Sequence, residues 1–317
     1  MTFNVLGTGS FLPSRVVTND DLSAMVDTND EWIAQRVGVR ERHVCTVETA
    51  TDLAYGAAVA ALENGGVAAS ELDFILCATI TPDYASPSVA CMVQKRLGGS
   101  CPAMDISAAC SGFVYALDAA AGYFARGKAK KMLVIGAEQM SRVTDWGDRS
   151  TCVIFGDGAG AMVLGEGDGL LAITLSTVGG TDVIRVPVYP GASPFDQKGH
   201  EKPFIHMNGQ ETFKFAVNSF CRDMKTVMAE AGLRHEDVSF IIPHQANQRI
   251  IDAAVSRLEL PPENFISNIA RVGNTSAASV AIAADELWRS GRLKRGDNVI
   301  LAAFGGGLSS AACALKW

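Results

Sequence analysis

Cys110 is the residue of this sequence whose setting most suggests covalent chemistry. It stands in residues 102–124, PAMDISAACSGFVYALDAAAGYF, where the apolar residues change from alternation to helical spacing. This change predicts a strand, a turn at residues 109–112, and a helix with Cys110 in its first turn. Because unpaired N–H groups at a helix start favour an anion, we expect a thiolate nucleophile. A buried structural cysteine is the alternative interpretation.

A repeat connects Cys110 with a second position near the end of the chain. Residues 66–76 match residues 232–242 at an offset of 166, and residues 127–130 match residues 291–294 at an offset of 164. Carried back along the preceding helix, the second offset pairs Cys110 with Asn274. The repeat predicts two related halves, residues 1–170 with the cysteine and residues 171–317 with His244 and Asn274. Chance similarity of two α/β stretches is the alternative.

His244 follows the apolar strand 238–242 and Pro243, a position where α/β proteins often place active sites. With Cys110 and Asn274 it suggests two chemistries. In a Cys-His-Asn hydrolase, the histidine is the base and the asparagine orients it. Alternatively, imidazole and amide N–H groups donate to one substrate oxygen, which suits acyl transfer followed by enolate attack. The equivalence of Cys110 and Asn274 favours the second chemistry. Considered one at a time, His244 could equally be a structural histidine, and Asn274 could equally be the N-cap of a helix.

Composition narrows the class of protein. The chain has 317 residues, 48% of them hydrophobic, and a net charge of −7, which argues against wholesale nucleic-acid binding. Eight cysteines without a C-x-x-C pair and five scattered histidines predict neither a disulfide scaffold nor a metal site. The absence of a long apolar run or a signal-peptide pattern leads us to expect a cytoplasmic protein without membrane insertion.

The remaining sequence alternates strands and helices, which predicts an α/β fold. Residues 156–160, GDGAG, are interpreted as a tight buried turn, and the Pro- and Gly-rich residues 181–206 as a surface loop able to cover a site. We predict strands at residues 3–6, 74–80, 131–137, 161–164, 238–242 and 299–303, and helices at residues 51–64, 88–97, 209–231, 247–258 and 276–289.

Several motifs together resemble the β-ketoacyl-[acyl-carrier-protein] synthase III family. They are ACSGF at 109–113, FGDGAGA at 155–161, PHQAN at 243–247, GNTSAAS at 273–279 and AFGGG at 303–307, with GTG at 7–9, DEWI at 30–33 and RER at 40–42. The similarity runs over essentially the whole chain. It implies a thiolase-like fold, five layers in the order α-β-α-β-α with two pseudo-repeated halves, and a homodimer.

The resemblance implies a decarboxylative condensation that initiates fatty-acid synthesis. An acyl-CoA primer would acylate Cys110, and malonyl-[acyl-carrier-protein] would then lose CO₂ and attack the acyl group. His244, as a neutral imidazole, and Asn274 would hold the enolate oxygen, while backbone N–H groups of Cys110 and Gly306 would form a second oxyanion hole. No metal or resident cofactor is implied. A secondary-metabolite synthase with a non-acetyl starter, and a Cys-His-Asn thioester hydrolase, are the alternatives.

The resemblance also assigns binding residues. For CoA they are Thr28, Trp32, Arg36, Arg149, Gly209, Phe213, Ala246 and Asn247, and for the carrier protein Lys214, Gln245, Arg249 and Arg257. A core tryptophan and solvated basic residues on a helix face are the simpler interpretations. Ser86 stands where several acetyl-preferring relatives have a phenylalanine that crosses the dimer into the acyl pocket. We therefore expect a larger pocket and longer or branched primers.

Overall fold

The computed structural model describes residues 2–188, 194–195 and 201–317. Its strands form two main sheets. In spatial order, the first sheet contains β1 (Thr2–Phe11), β7 (Asp157–Gly167), β6 (Lys131–Gln139), β4 (Phe74–Ala78) and β5 (Ala103–Ile106). The second contains β8 (Leu170–Thr177), β13 (Ser309–Lys316), β12 (Asn298–Gly305) and β11 (Phe240–Pro243). Two short ribbons pair β2 (Val16–Thr18) with β3 (Glu41–His43), and β9 (Ile184–Arg185) with β10 (His206–Met207).

The two sheets repeat one topology. In the first, β1 and β7 pair antiparallel, as do β7 and β6, whereas β4 pairs parallel with β6 and β5. In the second, β8, β13 and β12 are antiparallel and β11 is parallel to β12. A single parallel bridge from Ile241 to Phe265 stands where β5 stands in the first sheet. The second sheet begins with Leu170, one residue before the predicted second half; the division into two domains stays a prediction.

Helices complete five layers, and the predicted α-β-α-β-α order is confirmed. The outer face of the first sheet packs against α3 (Ala50–Gly65) and α4 (Val89–Arg96), and that of the second against α6 (Gly209–Glu230) and α7 (Gln248–Leu258). Between the sheets lie α5 (Gly112–Ala125) and α9 (Ser279–Arg289). Three short helices, α1 (Asn19–Ser23), α2 (Asp30–Arg36) and α8 (Ile269–Val272), contribute to a separate apolar cluster beside these layers.

The central helices pack closely because the strands next to them carry small residues. A Cβ atom on Gly160 of β7 would lie 2.6 Å from the backbone nitrogen of Ile282 in α9. Residues 157–160 are buried strand, so the predicted tight turn there is wrong. Gly160 thus admits the backbone of α9 instead of turning the chain.

The repeat is correct, but its register at Cys110 is not. Helix α5 has 14 residues and α9 has 11, so the offset of 164 at their ends becomes 167 at their starts. Ala109 and Ser276 open the two equivalent 3-10 turns, with φ of 47° and 50°. Cys110 therefore corresponds to Ala277. The pairing of Cys110 with Asn274 is wrong because the second helix is three residues shorter.

The outer edge of β1 is covered by a side chain. The pairing of β1 with β7 shifts between Val5 and Gly7, and the guanidinium of Arg295 donates hydrogen bonds to the carbonyls of Val5 and Leu6. At the opposite edge of the sheet lies β5, where Met104 is 38% exposed. The first sheet thus has one edge occupied by arginine and one open.

Candidate active site

Cys110 lies at the centre of the 3-10 turn Ala109–Ser111, between β5 and α5. Ala109 adopts the left-handed conformation, which a non-glycine residue adopts only when its surroundings impose it. The hydroxyl of Ser111 donates to the carbonyl of Ala108 over 2.8 Å and shares a 2.7 Å hydrogen bond with Ser309 of β13. This anchoring fixes Cys110, which is half-buried, at the start of the central helix.

The end of β12 lies directly against Cys110. A Cβ atom on Gly305 would be 2.7 Å from the backbone nitrogen of Cys110, so only glycine fits there. At the next residue, a Cβ on Gly306 would be 3.3 Å from the side chain of Ile184 in β9. The segment predicted to cover a site thus reaches Gly306, although residues 189–193 and 196–200 lie outside the described residues. The turn at Cys110 and the end of β12 are therefore neighbours, and an oxyanion hole formed by the N–H groups of Cys110 and Gly306 stays a prediction.

His244 follows the last residue of β11 and is almost fully buried, at 2% exposure. Its backbone N–H donates to the carbonyl of Ala302, and its imidazole ring packs edge to face on Phe304 of β12, with 5.4 Å between the ring centroids. Burial lowers the pKa of His244 to about 3, so the imidazole is neutral at pH 7, as the sequence analysis predicted. Within the described chain the buried Nδ1 has no hydrogen-bond partner, and Nε2–H as the donor to substrate stays a prediction.

Asn274 is held from both sides of its backbone, just before the turn that opens α9. Its N–H donates to the carbonyl of Ile154, and its carbonyl accepts from Gly156. The side-chain Oδ1 accepts the N–H of Ser276 over 2.9 Å. Because that backbone donor requires the amide oxygen, Oδ1 is the acceptor and the NH₂ group of Asn274 is the donor that the side chain still offers.

These contacts bring the three predicted residues to one place. Asn274 is bonded to Ser276, whose side chain hydrogen-bonds to the thiol of Cys110. His244 packs on Phe304, one residue before the glycine that touches Cys110. The site therefore gathers the carboxyl ends of two parallel strands, β11 and β12, and the starts of the two central helices. A nucleophile, a neutral imidazole and an amide donor suit acyl transfer followed by carbanion stabilisation.

The protonation state of the Cys110 thiol differs from the expectation. Burial raises the pKa of Cys110 to about 12, and the negative charge of Glu138 raises it further, whereas hydrogen bonds from Ser276 and from its own N–H lower it. The predicted resting thiolate is therefore wrong: desolvation exceeds the effect of the helix start. Cys110 must lose its proton as it reacts.

Glu138 is a site residue that the sequence analysis missed. It is fully buried at the end of β6 and accepts hydrogen bonds from the hydroxyls of Thr81 (2.6 Å) and Ser276 (3.0 Å). Burial raises the pKa of Glu138 to about 7. The signal was an acidic residue directly after the apolar run of residues 132–137.

Comparisons with known proteins agree with this geometry. Residues 104–179 match the family model described as 3-oxoacyl-[acyl-carrier-protein (ACP)] synthase III, and residues 228–317 match the model of its C-terminal part. The chain is 43% identical to the β-ketoacyl-[acyl-carrier-protein] synthase III of Clostridium acetobutylicum and 46% identical to that of Xanthomonas axonopodis pv. citri. Each alignment covers 99% of this chain and 98% of the relative. The chain belongs to the β-ketoacyl-[acyl-carrier-protein] synthase III family.

Solved structures carry the same fold. The crystal structure of 3-oxoacyl-[acyl-carrier-protein] synthase III from Aquifex aeolicus VF5 superposes with a TM-score of 0.93 at 44% identity, covering 99% of this chain and all of that one. The priming β-ketosynthase from the R1128 polyketide pathway superposes with a TM-score of 0.92 at 36% identity, covering 99% of this chain and 96% of that one. The thiolase-like fold of this synthase III chain is thereby established.

The predicted CoA residues form two groups. On α2, the ring of Trp32 lies 5.2 Å from the guanidinium of Arg149 and 5.7 Å from that of Arg36. The half-buried Thr28 has a hydroxyl without a partner in the described chain. A second group, Gly209, Phe213, Ala246 and Asn247, lies at the starts of α6 and α7, and Asn247 donates to the carbonyl of Arg36 over 3.2 Å. That hydrogen bond joins the two groups.

Of the predicted carrier-protein residues, Lys214, Arg249 and Arg257 are exposed on the packed helices α6 and α7. The fourth prediction, Gln245, is wrong because this side chain is fully buried. Its amide donates to the carbonyls of Pro243 and Ile266, and its oxygen accepts the N–H groups of Asn268 and Ile269. Gln245 therefore fixes the chain next to His244 instead of meeting a partner.

The remaining predictions concern the surface. Ser86 is exposed, in the segment between β4 and α4, beside Tyr84 at 57% exposure. Within the described residues, no cluster of three or more histidine, cysteine, aspartate or glutamate side chains could hold a metal ion. No helix of the described residues is long and apolar enough to cross a membrane.

Proposed function

We propose that this synthase III chain joins an acyl-CoA primer to malonyl-[acyl-carrier-protein] by decarboxylative condensation, with Cys110 as the acyl-carrying nucleophile. The observation that carries the proposal is the convergence of Cys110, a neutral His244 and the amide donor of Asn274 on one buried site. A Cys-His-Asn hydrolase needs an imidazole that accepts the thiol proton, and a pKa of about 3 makes His244 a poor base at neutral pH.

In the first half-reaction, the sulfur of Cys110 attacks the primer thioester and CoA leaves. The tetrahedral oxyanion is stabilised by the backbone N–H groups of Cys110 and Gly306. Donors of this kind contribute about 3–4 kcal/mol each to the transition state. Because the left-handed Ala109 fixes the Cys110 backbone, these donors need no reorganisation during the reaction.

In the second half-reaction, the malonyl thioester oxygen lies between Nε2–H of His244 and the NH₂ group of Asn274. Loss of CO₂ places negative charge on that oxygen, and two neutral donors stabilise it without first giving up a proton. The resulting carbanion attacks the acyl carbonyl on Cys110, the C–S bond to Cys110 breaks, and the released thiolate takes a proton from solvent. We propose that no metal or resident cofactor takes part, so chelators should leave the rate unchanged.

The primer's CoA is held, in this proposal, by stacking of its adenine on Trp32 with Arg149 close by. A planar base and a guanidinium both favour the face of an indole ring. Thr28 and Arg36 lie on the same side, while Gly209, Phe213, Ala246 and Asn247 line the path toward Cys110. A Cβ on Gly209 would meet nothing within 4 Å, which fits an open path at the start of α6.

The carrier protein binds, in this proposal, to the basic surface formed by Lys214, Arg249 and Arg257. The chain as a whole is acidic, so this local positive charge favours an acidic partner at this face. The guanidinium of Arg249 lies 5.9 Å from the ring of Phe213, which connects the surface with the CoA path. Binding through exposed charges should weaken as salt rises.

We further propose a homodimer that pairs the open β5 edges of two copies and brings Ser86 of one copy to the acyl pocket of the other. The exposed Met104 and Tyr84 beside Ser86 support this face. A small residue at 86 leaves room for primers longer than acetyl, and it is the one feature that favours the alternative of a non-acetyl starter in secondary metabolism. All eight cysteines are free, which supports a reducing, cytoplasmic location.

One assay tests the proposed function. The purified protein is given acetyl- to octanoyl-CoA with malonyl-[acyl-carrier-protein], and the products are separated by mass. Carbon–carbon bond formation supports the proposal, and free acid without condensation contradicts it in favour of a hydrolase. Strong preference for acetyl-CoA over primers of four to eight carbons would rule out the enlarged pocket while leaving the condensation intact.

A further inference from the structure

A buried hydrogen-bond chain runs from Cys110 into the first sheet, away from the substrate side. The hydroxyl of Ser276 donates to Oε1 of Glu138 over 3.0 Å, and hydrogen bonding from the same side chain lowers the pKa of the Cys110 thiol. Ser276 and Glu138 are both fully buried. Ser276 adopts a φ of 50°, in the left-handed region, at the start of the turn that precedes α9.

The surroundings of Glu138 hold a carboxylate without supplying a cation. Thr79, Thr81 and the N–H of Ile80 donate to its oxygens over 2.6 to 3.3 Å. The titratable groups around it are the thiols of Cys77 on β4 and Cys110. Beyond these lie Asp105 and Asp83 near Cys77, of which Asp83 pairs with Arg142 over 3.9 Å. Asp157 on β7 accepts hydrogen bonds from the N–H groups of Cys45 and Ser141. Glu138 can therefore take up or release a proton without breaking an ion pair.

We infer that Glu138 receives the proton of Cys110 through the hydroxyl of Ser276 during acyl transfer, and so acts as a positioning residue for the nucleophile. This inference rests on the proposed function of Cys110. The S–H bond breaks as its proton passes to Oγ of Ser276, and the proton of Ser276 passes to Oε1 of Glu138. The sulfur forms its bond to the acyl carbon, the C–S bond to CoA breaks, and the departing CoA thiolate takes the proton back.

Electrostatics supports this path. A carboxylate at Glu138 disfavours a thiolate at Cys110, so the buried pair avoids holding two negative charges. In the transfer, one negative charge moves from the carboxylate of Glu138 to the sulfur of Cys110, and the two groups are never negative at the same time. With a pKa raised to about 7, Glu138 is also a much better proton acceptor than His244, whose pKa is about 3. This division leaves His244 neutral for the malonyl half-reaction.

The test measures alkylation of Cys110 by iodoacetamide between pH 5.5 and 10, a readout that needs no acyl-CoA. For the wild type we expect two steps: the rate rises with pH to a plateau as Glu138 ionises near pH 7, then rises again as the last proton leaves. Glu138→Gln and Ser276→Ala should each lose the first step. A single-step wild-type profile, or a first step that survives in Glu138→Gln, would overturn the inference.

Acylation by acyl-CoA, followed by intact mass, provides the second measurement. Loss of a general base costs about a hundred-fold or more, so we expect Glu138→Gln to acylate at least a hundred-fold more slowly at pH 7.5, and Glu138→Asp to recover part of the rate. The control, Asp285→Asn, removes another fully buried carboxylate, one that accepts the hydroxyls of Thr8 and Ser10. An equal loss in both variants would indicate a merely structural role. If the wild type does not acylate at all, the proposed function fails, and the alkylation profile still decides the proton path.

Discussion

Replacing Gly305 with alanine tests whether the end of β12 sets the position of the nucleophile. The added Cβ would stand 2.7 Å from the backbone nitrogen of Cys110 and 3.0 Å from its Cβ. Ordinary van der Waals contact begins at 3.4 Å, so one of two backbone segments must move by about 0.7 Å. Both segments are anchored: Gly305 pairs with Ser309, and the turn at Cys110 is held by Ser111.

A displacement of about 1 Å in a reacting group costs roughly a hundred-fold in rate. We therefore expect Gly305→Ala to slow acylation of Cys110 by acyl-CoA by about 30- to 100-fold. Overpacking should also lower the free energy of unfolding by about 1–3 kcal/mol. Acylation is followed by intact mass after rapid mixing, and stability by urea unfolding.

Gly122→Ala is the matched control. Gly122 lies on α5, the helix that follows Cys110, and a Cβ there would meet nothing within 4 Å. This variant should acylate at the wild-type rate and be more stable by up to about 1 kcal/mol, because alanine favours a helix. Acylation of Gly305→Ala at the wild-type rate would refute the reasoning, since the two backbones would then separate without consequence for the chemistry.

Three further outcomes are expected. His244→Ala should largely abolish malonyl decarboxylation while Cys110 is still acylated; equal loss of both half-reactions would contradict the division of roles. Trp32→Ala should raise the KM for acyl-CoA about ten-fold with little change in kcat, because stacking on indole contributes about 1–2 kcal/mol; an unchanged KM would place CoA elsewhere. Because the folded state holds fewer protons on His244 than the unfolded state, this residue stabilises the fold above pH 6.5, and that stabilisation is lost as the pH falls toward 3. Urea unfolding of wild type and His244→Asn should therefore diverge over this range by up to about 1.4 kcal/mol per pH unit, whereas parallel curves would contradict a neutral buried imidazole.

The sequence predicted the repeat and most elements because each is encoded locally. Residues 131–137 became β6 with two residues added, and the predicted helix 209–231 became α6 with one removed. The strands β8 and β13 were missed, although β13 is buried along almost its whole length. Both close the second sheet through long-range pairing, for which short apolar segments carry little periodic signal.

The site was predicted in its members but not in its electrostatics. Cys110, His244 and Asn274 carry recognisable chemistry, and each follows or opens an element with a clear pattern. The state of the thiol depends on burial by residues far along the chain and on Glu138, which no local pattern marks as a neighbour of Cys110. Gln245 shows the same limit: its polar side chain suggested a surface contact, whereas its partners lie about 20 residues away at Ile266, Asn268 and Ile269.

The hydrogen bonds from Arg295 to β1 have a consequence for how copies of the chain can associate. A sheet with two free margins can add neighbours on both sides, and such growth has no natural end. Here β1 pairs irregularly and Arg295 binds the carbonyls of Val5 and Leu6, whereas β5 pairs with β4 alone among the described strands. In the proposed homodimer, joining through β5 uses the open edge of each copy, so that assembly closes at a pair. We expect replacement of Arg295 to free two carbonyls of β1 for pairing with a further strand, beyond the proposed pair.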